Sequence, residues 1–396
     1  MDQSLRVSVS NACTNVNRLV RTQDADRNAA PTSDELNNVE EVTREITRVW
    51  QESLGVEPIA PDQNYFDLGG DSSLAVHLFN RIEQLFQVKL PLATLFDAPT
   101  ISELVAVVLR EAAPSGWSPL VAIQTGGSRP NFFCIHGAGG NVLIYRDLAR
   151  RLGSDQPFYG LQAPGLDGSC PPLTRIEDMA ALYVKEIRRV QPRGPYFLGG
   201  YCMGGTVAFE VAQQIQAEGE RVALLALFDT MVWSNIPVPS AWDKSRYAVE
   251  RLGFHALNFF RLSSDSKTQF LKEKLQVVRS RIPVWRGMIL SKLARFRRAG
   301  PSSSMVLAKV WQANDRACWN YVPQPYHGRV TDFRPERQYS FFNRPAVKWD
   351  RLAQEGQKVV VLPTYPAGML LEPFVAHLAT ALSKSIDDAA REFPPI

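Results

Sequence analysis

Apolar positions divide the chain into segments of different period. Residues 1–36 carry no sustained apolar periodicity and are rich in Asn, Asp, Ser and Thr, the composition of a mobile leader. From Val39 the residues Val42, Ile46, Val49, Trp50 and Leu54 recur at helical spacing, and Gly55 supplies a stop. The spacing predicts a second helix over Ser73–Phe86, with Leu74, His77, Leu78, Ile82 and Leu85 on one stripe. A third is expected over Thr100–Leu109, where Thr100 and Glu103 form a capping box. Residues 37–112 thus read as a small α-helical bundle. Pro114, Ser115, Gly116 and Pro119, then Gly126, Gly127 and Pro130, mark a linker over residues 113–129.

After Pro130 short apolar runs alternate with amphipathic helices, the rhythm of a mostly parallel sheet in an α/β domain over residues 130–390. Strands are expected over Asn131–Ile135, Pro157–Gly160, Tyr196–Gly200, Val222–Phe228, Gly328–Phe333 and Lys358–Leu362. Helices are expected over Val142–Leu152, Ile176–Gln191, Gly204–Glu218 and Glu372–Lys384. From about 233 to 323 the alternation stops, and this insertion reads as helices over Arg246–Leu262, Lys267–Arg279 and Val284–Arg297.

Composition narrows the class. A length of 396 residues suits two domains, and 45% apolar with 21% charged residues is the balance of a soluble globular chain. No run has the length and hydropathy of a membrane helix, and the polar N-terminus has no signal-peptide core, so a cytoplasmic chain with no membrane partner is expected. Five cysteines, at 13, 134, 170, 202 and 318, lack the paired spacing of a disulfide framework or a metal site. The net charge of +4 hides an asymmetry. Residues 37–112 hold twelve acids against five bases, and residues 243–298 hold fourteen bases against four acids. No nucleic-acid module accompanies the basic stretch, so nucleic acid is not an expected partner. The acidic part of the same chain is the better candidate.

Two segments carry chemistry. In the first, Asn64-Tyr65-Phe66-Asp67-Leu68-Gly69-Gly70-Asp71-Ser72-Ser73 places two glycines before a serine at a helix start, where backbone amides favour an esterified phosphate. On physics alone, Asp71 or Ser72 is a helix cap. The helical layout and this run resemble acyl and peptidyl carrier proteins. The resemblance covers residues 37–112 and implies covalent 4′-phosphopantetheine on Ser72, with the adjacent Ser73 as the rival. It also implies a phosphopantetheinyl transferase as a partner.

The second segment, Gly200-Tyr201-Cys202-Met203-Gly204-Gly205, lies between an expected strand and helix. It has the spacing of a nucleophile elbow, with cysteine in place of the usual serine. Upstream, His136-Gly137-Ala138-Gly139-Gly140 follows a strand, and downstream Asp229 ends another. Together these resemble the α/β-hydrolase thioesterases that end nonribosomal peptide and polyketide assembly lines. The resemblance implies Cys202 as nucleophile, the amides of Ala138 and Met203 as oxyanion donors, Asp229 as the triad acid and residues 233–323 as a helical lid. It also implies an acyl or peptidyl thioester as substrate. The chain starts at Met1 with a leader, so the upstream synthase module is expected on another polypeptide.

One position departs from the family. The histidine expected three residues before Met369-Leu370-Leu371-Glu372-Pro373 is Pro366. The remaining histidines, at 77, 136, 255, 327 and 377, fit structural or surface roles better than that of a base, with His136 nearest the elbow. A cysteine is partly thiolate near neutral pH, so the expectation is a Cys202 thioester that forms without a histidine and passes its acyl group to an amine or another nucleophile rather than to water. A hydrolase using His136 or a lid residue, and a domain that only binds carriers, are the competing readings.

Overall fold

The computed structural model describes residues 33–86, 88–110, 117–235, nine residues between 242 and 253, 303–339 and 349–393. The chain divides into two compact units, the second beginning at Ser118.

The first unit is helical, with α1 (Ser33–Leu54), α2 (Ser72–Phe86), a short α3 (Thr94–Asp97) and α4 (Ile101–Arg110). The leader expected to residue 36 lies outside the described residues as far as 32, and α1 begins at Ser33. The apolar stripe read from the sequence is the core, since Val42, Ile46, Val49, Trp50 and Leu54 are all buried. The capping box also forms: Glu103 N–H donates to Thr100 Oγ1 at 3.3 Å, and Glu103 Oε2 accepts the Thr100 N–H at 3.0 Å. Trp50 meets the buried Tyr65 edge to face at 5.3 Å, tying α1 to the loop before α2.

The second unit is built on a seven-stranded sheet: β1 (Leu120–Gln124), β2 (Phe132–Ile135), β3 (Phe158–Leu161), β4 (Tyr196–Tyr201), β5 (Val222–Phe228), β6 (Val330–Pro335) and β7 (Gln357–Leu362). The spatial order is β1-β3-β2-β4-β5-β6-β7, parallel throughout except β1, which runs antiparallel to β3. Between the strands run α5 (Arg146–Leu152), α6 (Ile176–Val190), α7 (Met203–Ala217), α8 (Ser303–Asn320) and the C-terminal α9 (Val375–Glu392). Helices on both faces explain why β2 is a continuous apolar run, Phe-Phe-Cys-Ile, buried at every position.

Three differences from the sequence reading have local causes. Residues 120–124, placed in the 113–129 linker, form β1, a half-buried edge strand set among the Pro and Gly residues that marked the linker. α9 starts at Val375 rather than Glu372 and continues to Glu392, because Pro366–Gly368 forms a 3₁₀ turn just ahead of it. α8 is a regular 18-residue helix inside the segment assigned to the lid. The predicted lid helices lie outside the described residues, apart from scattered helical positions between 242 and 253.

In sequence order β3 goes to one side of β2 and β4 to the other, so the chain reverses direction across the sheet at β2/β4. The crevice beyond the carboxyl ends of strands at such a point is where open α/β sheets build their sites.

Candidate active site

Sheet register creates the elbow. β4 and β5 pair with Tyr201 opposite Phe228, and the Cys202 N–H donates to Phe228 O at 2.9 Å. Cys202 and Asp229 therefore leave the sheet side by side, on strands about 4.8 Å apart. Both take positive φ, 56° at Cys202 and 45° at Asp229. Aspartate tolerates that region, whereas at cysteine such backbone costs about 1–3 kcal/mol and persists only where packing enforces it. The enforcement comes from two glycines. A Cβ on Gly200 would lie 2.2 Å from the Gly204 carbonyl carbon, and one on Gly204 would lie 2.2 Å from Ile135 O. α7 can start directly against the ends of β2 and β4 only because both positions are glycine.

The loop after β2 is fixed around one peptide unit. Gly137 O accepts His136 Nδ1–H at 2.7 Å and the Gly140 N–H at 2.9 Å. In a trans peptide the N–H points opposite the carbonyl, so the Ala138 N–H is turned away from those donors. It has no acceptor among the described residues. Asn314 of α8 donates to Ala138 O at 3.0 Å, and the indole of Trp311 packs on Gly139, closing the loop from above. The Met203 N–H faces the Cys202 sulfur. Of the two amides expected to be oxyanion donors, that of Ala138 is unsatisfied among the described residues and that of Met203 is turned to the Cys202 sulfur.

The charge state of the site differs from the sequence expectation. Burial first, then the charges of Asp229 and Asp315, push the Cys202 thiol up to about 12, against a smaller opposing effect of the Met203 amide. The resting group is therefore a thiol, and the thiolate fraction expected from a helix N-terminus is outweighed by desolvation and two carboxylates. Burial, with Asp332 behind it, likewise pushes Asp229 up to about 7, opposed by Arg334.

No imidazole reaches Cys202 or Asp229 among the described residues. His136 is fully buried with both ring nitrogens engaged, Nε2 lying 2.7 Å from the Tyr183 hydroxyl of α6, and burial lowers its pKa to about 4. It is a brace for the Ala138 loop. His77 belongs to the helical unit, His327 and His377 are exposed, and His255 lies outside the described residues. Pro366 opens the 3₁₀ turn after β7, and its carbonyl accepts the Tyr201 hydroxyl at 2.9 Å. The sequence reading missed Tyr201, Tyr183, Asn314 and Asp315 as parts of the site. Tyr183, Asn314 and Asp315 arrive from elements distant in sequence, and Tyr201, though beside Cys202, is tied into the site only through Pro366, 165 residues away.

In the helical unit, Ser72 is the first residue of α2. Asp71 is the cap: its Oδ1 accepts the Leu74 N–H at 2.8 Å. The loop ahead is clamped on Tyr65, whose hydroxyl donates to Asp71 O at 3.1 Å. A Cβ on Gly70 would lie 2.3 Å from the Tyr65 ring. Ser72 is partly exposed, and its hydroxyl has no hydrogen-bond partner among the described residues. An open hydroxyl at the N-terminus of a 15-residue helix fits a phosphodiester-linked arm.

A mostly parallel α/β sheet with a strand-to-helix elbow at Cys202, together with a helical unit bearing an open serine, is the architecture of a carrier joined to a thioesterase-type α/β domain. The chain belongs to the thioesterase family, whose thioesterase-domain model matches residues 130–355. Residues 44–108 match the phosphopantetheine attachment site, so 4′-phosphopantetheine is the prosthetic group of the helical unit and the partner enzyme acts on carrier-bound thioesters. A dimodular nonribosomal peptide synthase of Bacillus subtilis (strain 168) is 39% identical over 195 residues, 49% of this chain and 8% of that protein. Indigoidine synthase of Dickeya dadantii (strain 3937) is 40% identical over 183 residues, 46% of this chain and 12% of that protein. This chain thus spans a small fraction of those relatives. A crystal structure of a holo four-domain nonribosomal peptide synthetase bound to AMP and glycine shares the fold, with a TM-score of 0.55 and 24% identity over 94% of this chain and 27% of that one.

Proposed function

We propose that the chain performs the release step of nonribosomal peptide or polyketide assembly, moving the acyl or peptidyl group of a carrier-bound thioester onto Cys202 and then onto an amine or another nucleophile other than water. When bound at Ser72, the phosphopantetheine arm supplies that thioester. A phosphopantetheinyl transferase and an upstream synthase module are the partners this role requires. The observation that carries the reading is Cys202 at a strained, glycine-enforced elbow with Pro366 where an imidazole would stand.

Each residue has a part. Cys202 Sγ attacks the thioester carbonyl and gives up its proton, which ends on the departing thiol, so one S–acyl bond replaces another. The Ala138 and Met203 amides hold the developing oxyanion. The enzyme-bound ester of sulfur keeps its acyl-transfer potential and reacts readily with amines, whereas water needs a general base that no described imidazole supplies.

The test uses octanoyl-N-acetylcysteamine as a small thioester and intact mass spectrometry. The chain should gain one octanoyl group on the peptide bearing Cys202, and Cys202→Ala should gain none. With benzylamine present, amide should exceed free acid. Release of acid as fast as amide would overturn the transfer reading, and absence of the adduct would leave a carrier-binding domain without catalysis. For the arm, treatment with a phosphopantetheinyl transferase and coenzyme A should add mass to the Ser72 peptide and fail in Ser72→Ala; persistence there would move the site to Ser73.

A further inference from the structure

With Cys202 as the acyl-bearing group, on which this inference rests, the unexplained member of the site is Asp229. It is 6% exposed and, among the described residues, its carboxylate makes no hydrogen bond or ion pair. The charged and titratable groups facing it are Asp332 and Arg334 of β6 and Tyr201 and Cys202 at the end of β4. Arg334 is committed elsewhere, at 2.5 Å from Asp332 Oδ2. Tyr201 donates to Pro366 O, and the Cys202 thiol answers the Met203 amide. A buried carboxylate without a partner is costly, and it is retained here at the mouth of the reaction site. A second carboxylate, the exposed Asp315 of α8, follows Asn314, which holds the Ala138 loop, and also acts on the Cys202 sulfur, while the basic side chain acting on Asp229, Arg334, is itself paired with Asp332.

We propose that the acyl acceptor completes this constellation: a primary amine arrives as its ammonium ion, docks against the Asp229 and Asp315 carboxylates, and transfers a proton to Asp229 to become the nucleophile. The ammonium loses one proton to the Asp229 carboxylate, and its freed lone pair attacks the Cys202 thioester carbonyl. The new C–N bond forms, the C–S bond breaks, and the second nitrogen proton passes to the departing Cys202 sulfur. Amide, Cys202 thiol and protonated Asp229 remain, and Asp229 returns its proton to solvent. The carboxyl raised by burial to about 7 is matched to such proton traffic near neutral pH. Two carboxylates also select the acceptor, since a cation is drawn in and water gains nothing from them.

The experiment separates this from the reading beneath it. The chain is loaded with octanoyl-N-acetylcysteamine, the Cys202 adduct is verified by mass, and the adduct is then mixed with benzylamine or with hydroxylamine, which is uncharged at pH 7.5. Asp229→Asn should still form the adduct, because it removes a charge that keeps the thiol protonated. Its amide formation with benzylamine should fall about 100-fold or more, the scale of general acid–base catalysis. Its reaction with hydroxylamine should stay within about threefold, since that nucleophile has no proton to give up first. Asp315→Asn should raise the KM for benzylamine about tenfold with little change in kcat, the pattern of lost docking. Equal losses with both nucleophiles, or none with benzylamine, would overturn the proposal. Failure of the unmutated chain to form the adduct would instead overturn the Cys202 reading.

Discussion

Two helices in this chain begin beside a pair of glycines and present a nucleophilic atom, and they do so in opposite ways. At α2 the glycines come before Ser72, Asp71 caps the helix, and the hydroxyl is open. At α7 the glycines come after Cys202, no side chain caps the helix, and the sulfur is held by a backbone φ of 56°. A residue that is modified by another enzyme must be reachable, and a relaxed turn suffices. A residue that must strike a carbonyl beside two amides needs one fixed direction, and the fold accepts strain and buried charge to provide it.

The largest expected break in this contrast lies in the buried charge. Asp229 rises from 3.8 to about 7 on burial. A carboxyl raised in the folded state favours the fold while protonated, so its penalty is absent below about pH 4, grows as pH rises and is complete above about pH 7. The penalty is at most about 4 kcal/mol from the size of the shift. Asp229→Asn should therefore match the parent in stability at pH 4 and exceed it by up to that amount at pH 8, read from urea unfolding of the sheet unit. A constant difference across pH would show that Asp229 is not the strained charge of the site.

The second break is steric. Gly204→Ala puts a methyl 2.2 Å from Ile135 O, where only backbone can yield, and should cost about 3 kcal/mol together with the Cys202 adduct. Gly69→Ala, in the loop before Ser72, meets no atom within 4 Å but has φ +89°. It should cost about 1–2 kcal/mol and leave arm attachment intact. Similar losses of function at both positions would remove the distinction between a positioned and a merely accessible nucleophile.

Much of this was legible in sequence, and the reasons are local. The elbow glycines, the apolar run ending at Asp229 and the Gly-Gly-Asp-Ser turn each place chemistry within a few residues of the element that positions it. What stayed hidden depends on distant partners. His136 already fitted a structural role better than that of a base, but the group that closes its ring, Tyr183, lies 47 residues away. The Cys202 thiol looked ionisable from its place at a helix start, yet burial and then the charge of Asp229, 27 residues away at the end of the next strand, decide its state. β1 was hidden for another reason: Leu120–Gln124 is apolar at four of its five positions but lies between Pro119 and Gly126-Gly127, whose turn signals marked the segment as linker.

The smallest effect sharpens the relaxed side of the contrast. Asp71 accepts the Leu74 N–H at 2.8 Å, and an N-cap of this kind contributes about 1 kcal/mol. Asp71→Ala should speed hydrogen exchange in the first turn of α2 by about fivefold, while α7, which has no side-chain cap to lose, is unchanged. Attachment of the arm changes the accounting. A phosphate on Ser72 brings acceptor oxygens to the same helix start, and the amide freed by Asp71→Ala can donate to them. The exchange penalty should therefore shrink in the phosphopantetheinylated chain. An equal penalty with and without the arm would mean that its phosphate does not lie over the α2 N-terminus, and the parallel between the two helix starts would then end at their sequence pattern.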